Sequence, residues 1–254
     1  MPRHVDAWMD GVALSTVGPI LIKQVYEDPP TLDIQNGEKP GGYGQRMLSK
    51  KRQSLKVALE CQIQELYDLA VRTRAAEELS RWVQGSILEL SNHPDRRLQC
   101  YCSAEPTLGA VRDYTSTIRV EFTADAVPYW EDKLSSEIVF SASSGSGTLL
   151  VPGTVETPVC ISVKPTGAAL SSFSVTVAGQ TIALSSLSVA KNSLLYIERD
   201  ARDDLCIRSG ATSLMSKRSA ASADDLFVKP GSAAVSFTAN TTCTVTISVR
   251  GRWA

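Results

Sequence analysis

The stretch that decides the fold is residues 114–132, Tyr-Thr-Ser-Thr-Ile-Arg-Val-Glu-Phe-Thr-Ala-Asp-Ala-Val-Pro-Tyr-Trp-Glu-Asp. Apolar residues occupy every second position of residues 118–123, which is the pattern of a strand with one buried face. The Pro-Tyr-Trp cluster at residues 128–130 then ends this strand. A charge-rich part of the chain precedes the stretch, and a Ser/Thr/Val-rich part follows it. The pattern predicts that the strand is the last of one domain, 1–132, and leads into a second domain, 133–254.

The length and charge of the chain fit two domains that do not bind nucleic acid. A chain of 254 residues is long enough for two domains that each bury their own core. Residues 1–132 carry 15 Lys/Arg against 19 Asp/Glu, a net charge of −4, and residues 133–254 carry 11 against 8, a net charge of +3. Neither domain has the basic excess that is typical of nucleic-acid binding.

The cysteines and the apolar segments indicate the compartment in which the protein folds. The chain has six cysteines and no Cys-x-x-Cys pair, which favours buried free thiols. No apolar run reaches the ~18 residues of a membrane helix, and the N-terminus lacks the apolar core of a signal peptide. We therefore expect synthesis and folding in a reducing cytoplasm.

The first domain is predicted to contain strands, one exposed arm and one helix. Strands are predicted at 5–9, at 20–26 and, with the clearest alternation, at 55–64. The Gly-rich and basic residues 36–52 predict a long exposed loop or a hairpin arm.

Helical spacing begins near Asp68 and ends before Gly85, and we predict no other helix. The apolar positions of the helix are Ala76, Leu79, Trp82 and Val83, and those predicted to face outward are Arg72, Arg74, Glu77, Glu78 and Arg81.

The second domain shows many short strand-like runs separated by Gly, Ser, Asn and Pro, which predicts a β-sandwich or jelly roll. Residues 143–147, Ser-Ser-Gly-Ser-Gly, are predicted to be one of its turns. Residues 240–242, Asn-Thr-Thr, are predicted to be the turn between its last two strands.

Residues that could support catalysis or bind a metal do not form a usable set. The only histidines, His4 and His93, provide little for a nucleophile relay or a metal site. The pairs at 203–204 and 224–225, both Asp-Asp, are more typical of turns than of paired catalytic carboxylates. The sequence therefore predicts no catalytic, cofactor-binding or metal-binding residue, and no enzyme.

Three stretches, in order along the chain, carry a resemblance to a known family. The first is residues 118–132, a strand followed by an acidic residue, Pro-Tyr-Trp and further acid. The second is residues 192–200, Asn-Ser-Leu-Leu-Tyr-Ile-Glu-Arg-Asp. The third begins with Asp-Leu-Phe-Val-Lys-Pro-Gly at 225–231 and closes with a basic, Trp-ended strand at 243–253. Together they resemble the distal tail proteins, or Dit proteins, of long-tailed bacteriophages.

The resemblance implies a mainly β structural protein of the virion. It implies an N-terminal β-sandwich with one helix, which forms a homo-hexameric ring at the tail tip, and an outer galectin-like β-sandwich of the jelly-roll type. Such a ring joins the tail tube and tape-measure proteins to the tail hub, tail fibre or receptor-binding proteins after synthesis in the host bacterial cytoplasm. It needs no cofactor and does not insert into a membrane. DNA passes through its channel without specific binding, which the net charge of −4 of residues 1–132 would favour.

A closed ring requires heterologous contacts, in which one surface of each subunit meets a different surface of the next. We predict these contacts on the arm and on the polar face of the strand that follows it. The predicted ring-interface residues are Tyr43, Arg46, Lys50, Lys51, Arg52, Lys56 and Glu60.

The predicted joint between the two domains is Pro128, Tyr129 and Trp130. The two aromatic rings can be buried there while their polar ends stay hydrated. Replacement of Trp130 by Ala is expected to loosen the angle between the domains.

An alternative function is a carbohydrate-binding module in residues 133–254 that contacts a host cell-surface glycan. Sugar sites stack their ligand on exposed aromatic rings and add a few polar groups. The available aromatic residues are Phe140, Phe173, Tyr196, Phe227, Phe237 and Trp253, most of them at inward-facing positions of predicted strands.

Overall fold

The computed structural model describes residues 5–38, 45–64, 68–104, 106, 117–200 and 202–254, and only the backbone of residues 37–38 and 45–51. The chain divides into two compact units, Met1–Trp130 together with Ala254, and Glu131–Trp253.

The first unit combines short strands with two helices in its described residues. The helices are α1 (Leu14–Val17) and α2 (Leu69–Trp82). The strands are β1 (Ala7–Met9), β2 (Val12–Ala13), β3 (Ile20–Asp28), β4 (Leu32–Glu38), β5 (Gln45–Arg52), β6 (Leu55–Ile63), β7 (Ile87–Leu90), β8 (Arg96–Gln99), β9 (Tyr101–Ala104) and β10 (Ile118–Ala124).

These strands form separate sheets. One sheet has the order β3-β6-β10-β9, a second contains the strands β2-β1-β7-β8 in that order, and β4 pairs only with β5. Strand β10 is the last strand along the chain that lies wholly in the first unit, and within its sheet it lies between β6 and β9. Alternation reveals which face of a strand is buried but does not reveal its neighbours.

Helix α2 begins where predicted and packs against strands of both larger sheets. The carboxylate of Asp68 accepts hydrogen bonds from the backbone N–H groups of Ala70 and Val71 and caps the first turn. At the other end, Trp82 contacts Phe122 of β10 edge-on, and its indole N–H donates to the carbonyl oxygen of Val12 in β2 at 2.8 Å.

Two predictions about the helices are wrong. Arg72 was predicted to face outward, yet it is only 3% exposed. It lies three and four residues before Ala75 and Ala76 of the buried stripe, and the long stem of an arginine packs well against apolar neighbours. Helix α1 was not predicted, because four residues make a single turn and show no periodicity.

The described part of the second unit consists of strands and one 3-10 turn, Met215–Lys217. The strands are β11 (Trp130–Asp132, which starts at the last residue of the first unit), β12 (Ser136–Val151), β13 (Thr157–Pro165), β14 (Phe173–Val177), β15 (Gln180–Leu184), β16 (Leu195–Arg199), β17 (Leu205–Ser209), β18 (Thr212–Ser213), β19 (Phe227–Val228), β20 (Gly231–Val249) and β21 (Arg252–Trp253).

Two long strands, β12 and β20, organise the second unit. They pair with each other over their length, and the other side of β20 pairs first with β14 and then with β13. Buried residues of both halves of β20, such as Phe237 and Ile247, belong to one apolar core. The predicted mainly β, sandwich-type fold class is thus confirmed.

The two turns predicted inside these strands are wrong. Residues 143–147 lie within β12 and residues 240–242 within β20, and the pairing of the two strands shifts register between Ala142 and Ser144. The amide of Asn240 has a structural role here, since its Oδ1 accepts hydrogen bonds from the backbone of Ser171 and Ser172.

No helix in the described part of the chain is long and apolar enough to cross a membrane.

Candidate assembly surfaces

The basic segment predicted as a loop or arm is a hairpin. Strands β4 and β5 form a two-stranded antiparallel sheet of their own, in which Leu32 lies opposite Arg52. The predicted interface residues Arg46, Lys50 and Lys51 belong to β5 through their backbone, and Tyr43 lies outside the described residues. We call β4 and β5 the arm.

One face of the arm carries exposed apolar side chains. Leu32 and Ile34 are two residues apart, so they point to the same face, and they are 46% and 47% exposed. A two-stranded sheet is only marginally stable in water by itself. This face is therefore suited to burial against another surface.

The root of the arm is tied to the predicted joint. The guanidinium of Arg52 lies 5.5 Å from the centre of the Tyr129 ring, a cation–π contact. The backbone N–H of Gln53 donates to the carbonyl oxygen of Thr31, which closes the base of the hairpin. The structure thus brings together one residue predicted for the ring interface and one predicted for the joint.

Beside the root of the arm, the side chain of Asp125, which follows β10, links β9 to the residue before β6. Its carboxylate accepts hydrogen bonds from the hydroxyls of Ser54 and Tyr101. The pKa of Asp125 is lowered most by the bond from Ser54, then by the bond from Tyr101 and by the nearby positive charge of Lys56. Lys56 is a predicted interface residue. Its side chain is exposed, and its positive charge stabilises the Asp125 carboxylate.

Glu60, the last predicted interface residue, belongs to a polar network on the outer face of the sheet β3-β6-β10-β9. The hydroxyl of Tyr26 donates to its carboxylate at 3.1 Å, which raises the pKa of Tyr26. Arg119 lies opposite Glu60 in the strand register, stacks 5.3 Å from the Tyr26 ring centre and pairs with Glu121 at 2.9 Å. Tyr26, Glu60, Arg119 and Glu121 of this face therefore have partners within the chain.

The residues predicted as the joint differ in their surroundings. Pro128 and Tyr129 are half-buried, whereas Trp130 is 5% exposed. The Trp130 ring packs against the ring of His93 at 4.9 Å, and a ring nitrogen of His93 lies 3.0 Å from the carboxylate of Glu27. No pattern in the sequence indicates these contacts of His93, because the sequence does not show that its turn meets β3.

An open cleft of about 450 Å³ lies at the C-terminal end of α2. Its apolar lining includes Val12, Val17 and Trp82, and Val12 is 51% exposed. Its charged lining residues are Asp10, Glu78 and Arg81, and Glu78 pairs with Arg81 at 2.7 Å. No pattern in the sequence indicates this cleft, because its lining combines residues 9–17 with the end of α2, which are far apart in the chain.

Hydrogen bonds and close packing hold the turn beside the cleft. Asp10, in the left-handed region at φ 49°, directs its carboxylate to the backbone N–H groups of Ser86 and Ile87. A Cβ at Gly85 would lie 2.2 Å from the Met9 side chain and 2.7 Å from a carboxylate oxygen of Asp10. Only glycine fits at this position, so the turn after α2 closes tightly against β1.

In the second unit, carboxylates that could suggest catalysis are held in ion pairs and turns. The carboxylate of Asp203 accepts two hydrogen bonds from the guanidinium of Arg252, at 2.7 and 2.9 Å, and Asp225 pairs with Arg199. The side chain of Arg252 is 4% exposed and also contacts Glu131. Burial opposes the charge of Arg252, but its bonds to Asp203 and the charge of Glu131 outweigh that effect and raise its pKa.

The aromatic residues considered for sugar binding are engaged within the second unit. Phe173 and Phe237 are core residues, and Phe140 packs on Phe237. Arginine guanidinium groups cover the rings of Tyr196 and Phe227. The indole N–H of Trp253 donates to Asp132. Among the described residues, these contacts engage each aromatic side chain that the carbohydrate alternative would use, and they do not favour that alternative.

The described residues contain no group of three metal-ligating side chains. None of the six cysteines forms a disulfide, and three of them, Cys61, Cys100 and Cys243, are buried. Burial raises the pKa of both Cys61 and Cys100 to about 12, so these thiols are not nucleophilic at neutral pH.

Neither a family model nor a curated protein sequence matches the chain. Solved structures match it over nearly its whole length. The SPP1 Dit protein, described as a paradigm of the hub adsorption apparatus in phages that infect Gram-positive bacteria, aligns with a TM-score of 0.68 at 11% identity. The alignment covers 98% of this chain and 99% of SPP1 Dit. This chain has the fold of Dit.

A chain from each of two phage P2 baseplate structures in the activated conformation also aligns with this chain. The form with Ca aligns with a TM-score of 0.53 at 9% identity, over 99% of this chain and 98% of the other. The form with Sr aligns with a TM-score of 0.51 at 10% identity, over 98% of both chains. At such identities the similarity establishes the fold, and it confirms the resemblance to Dit at that level.

The stretches that suggested Dit meet within the second unit. Arg199, from the second stretch, pairs with Asp225 of the third. Trp253, at the end of the third stretch, bonds to Asp132 at the end of the first. The residues that carried the resemblance are therefore joined by side-chain contacts of this Dit fold.

Proposed function

We propose that the protein is a structural, non-enzymatic component of a phage tail tip, where it forms a homo-hexameric ring that connects the tail tube to tail fibre or receptor-binding proteins. The observation that carries this proposal is the alignment with SPP1 Dit over 98% of the chain. The alignment covers both units, so it does not arise from one common domain alone.

The proposed ring uses the first unit, residues 1–132 by the sequence boundary, and the galectin-like second unit lies on its outside. The arm supports heterologous contacts because it exposes the apolar residues Leu32 and Ile34 on one face. The predicted interface residues on β5 and β6 remain part of this proposal.

The proposed partners are the tail tube protein, the tape-measure protein and the tail hub, fibre or receptor-binding proteins. DNA would pass through the ring without specific binding, since residues 1–132 carry a net charge of −4. The proposed location is the tail tip of the virion, after synthesis in the cytoplasm of the host bacterium.

The proposed joint remains Pro128, Tyr129 and Trp130. Within the first unit, Tyr129 contacts Arg52 and Trp130 contacts His93, and these contacts support the proposal.

Light scattering on the purified full-length protein tests the ring. The expected mass is six times that of one 27.4 kDa chain, and electron microscopy of the same sample should show closed rings. A chain that stays at 27.4 kDa over the micromolar range, even with the tail tube protein added, would contradict the proposal.

A further inference from the structure

We propose that residues 136–142, the first half of β12, bind an extended segment of another protein, which joins the sheet as an added strand. This site lies in the second unit and does not require that the chain forms a ring. It goes beyond the proposed function because it specifies how a partner is held and what chemistry that partner has.

Strand β12 has an open edge. One side of β12 pairs with β20, and none of the described strands pairs with its other side. The edge of a sheet presents a row of backbone N–H and C=O groups to which a further strand can bind. With 16 residues, β12 is also longer than most strands, which have roughly 3–10. It therefore offers a long template for strand addition.

Other edges of the second unit are covered by the chain itself. At the outer edge of β15, the backbone N–H groups of Ser219 and Ala223 donate to carbonyl oxygens of the strand at 2.8 and 2.7 Å. On the far side of the unit, β18 pairs with β17 and is only two residues long. The long open edge is thus particular to β12.

The composition of the edge indicates which partner fits. Edge strands that avoid pairing commonly carry lysine or proline. Residues 136–142 read Ser-Glu-Ile-Val-Phe-Ser-Ala, so their one charged side chain is that of Glu137, and Val139 is 53% exposed. This edge fits a mainly uncharged strand with a basic residue opposite Glu137. A second copy of β12 fits less well, because residues 136–151 contain no basic residue.

A sharp bend divides β12 into two halves. A Cβ at Gly147 would lie 2.6 Å from the side chain of Ile138, although residues 138 and 147 of a straight strand would be roughly 30 Å apart. The register shift between Ala142 and Ser144 lies between these two positions. A straight partner strand can therefore pair with one half of β12 but not with both.

The first half gains more from a partner than the second half does. Its inward-facing residues Ile138 and Phe140 pack against the core but remain half-buried. In the second half, Leu149 and Val151 are already 1% and 2% exposed. An apolar side chain of an added strand would cover Ile138 and Phe140, and this burial favours binding. The occupant is thus an extended segment with apolar residues at alternate positions.

Fluorescence anisotropy of a labelled synthetic peptide mixed with the full-length chain tests this site. The peptide alternates valine with threonine, which favours an extended conformation, and has a lysine at each end. We expect saturable binding that weakens by at least about tenfold in Val139→Lys, because a lysine on an edge opposes strand addition. The matched control is Leu150→Lys, which places the same charge on the second half at a residue 66% exposed and should bind like the unaltered chain. Both positions are exposed, so both variants should fold.

Two N-methylated forms of the peptide distinguish strand addition from side-chain docking. The N–H groups of an extended strand point alternately to its two sides. Methylation of every odd position in one peptide and of every even position in another therefore removes the donors that face β12 in only one of them. One form should lose binding and the other should keep it. Equal binding or equal loss would overturn strand addition.

The remaining outcomes also decide the question. Absence of saturable binding by the unmethylated peptide would overturn the site, as would a loss of binding in Leu150→Lys instead of Val139→Lys. A lower mass of the Val139→Lys chain than of the unaltered chain in light scattering would assign the edge to a second copy and overturn the partner segment. A monomeric chain that binds the peptide would contradict the ring and support the strand site.

Discussion

At the scale of single residues, Arg252 shows how one buried charge fixes the end of the second unit. Its guanidinium gives up hydration and gains a two-pronged hydrogen bond to Asp203 and a contact with Glu131. Since Glu131 begins the second unit, this one side chain links the unit's first residue to its last strand and to the loop that holds Asp203.

Replacement of Arg252 by Met is expected to destabilise the protein by about 3–5 kcal/mol, because two partly buried carboxylates lose their counter-charge. Urea unfolding of the full-length chain would measure this loss. Arg208→Met is the control, since the pair of Arg208 with Glu198 is 41% and 29% exposed and such pairs contribute about 1 kcal/mol or less. Equal losses in the two variants would show that burial of Arg252 has no special role.

The sequence predicted a basic last strand but not the partners of Arg252. Asp203 and Glu131 lie 49 and 121 residues away along the chain. Alternation and composition report on local conformation and on which face is buried, whereas such contacts depend on how distant strands meet. The same reason explains why the cleft at α2 and the link from His93 to Glu27 could not be predicted.

At the scale of elements, β12 shows why a local signal can mislead. Its Ser-Gly-Ser-Gly run is typical of a turn, whereas the regular alternation of residues 55–64 predicted β6 to within one residue. In β12 the glycines face inward, and a Cβ at Gly145 would lie 2.8 Å from the ring of Phe237 and 3.0 Å from that of Phe140. The large side chains fill the space that the glycines leave, so the strand continues.

Gly145→Val is therefore expected to destabilise the second unit by about 1–3 kcal/mol, because the added side chain overpacks against two phenylalanine rings. The neighbouring change Ser146→Val places the same side chain on the exposed face and should alter the free energy of unfolding by no more than about 0.5 kcal/mol. Thermal unfolding of both variants would measure the difference. If Ser146→Val were the more damaging change, the assignment of the inward face would be wrong.

At the scale of the whole molecule, charge is unevenly distributed in the first unit. Residues 36–52 carry five basic residues and one acidic residue, whereas the rest of residues 1–132 carries ten basic and 18 acidic residues, and this distribution opposes contacts between identical surfaces. The arm exposes the apolar side chains of Leu32 and Ile34. On the outer face of the sheet β3-β6-β10-β9, by contrast, Tyr26 is bonded to Glu60 and Arg119 to Glu121. Association through the arm should accordingly depend on both apolar burial and charge.

This combination predicts how assembly responds to salt. Between 0.1 and 1 M NaCl the Debye length falls from about 10 to about 3 Å, so attraction between the basic residues 36–52 of one copy and acidic residues of another is screened. We expect the association constant of two copies to fall about tenfold, equivalent to ~1.4 kcal/mol. Sedimentation of the full-length chain at each salt concentration would measure this constant. Apolar burial alone does not weaken in salt, so a constant that stays level or rises would show that charge does not guide the arm.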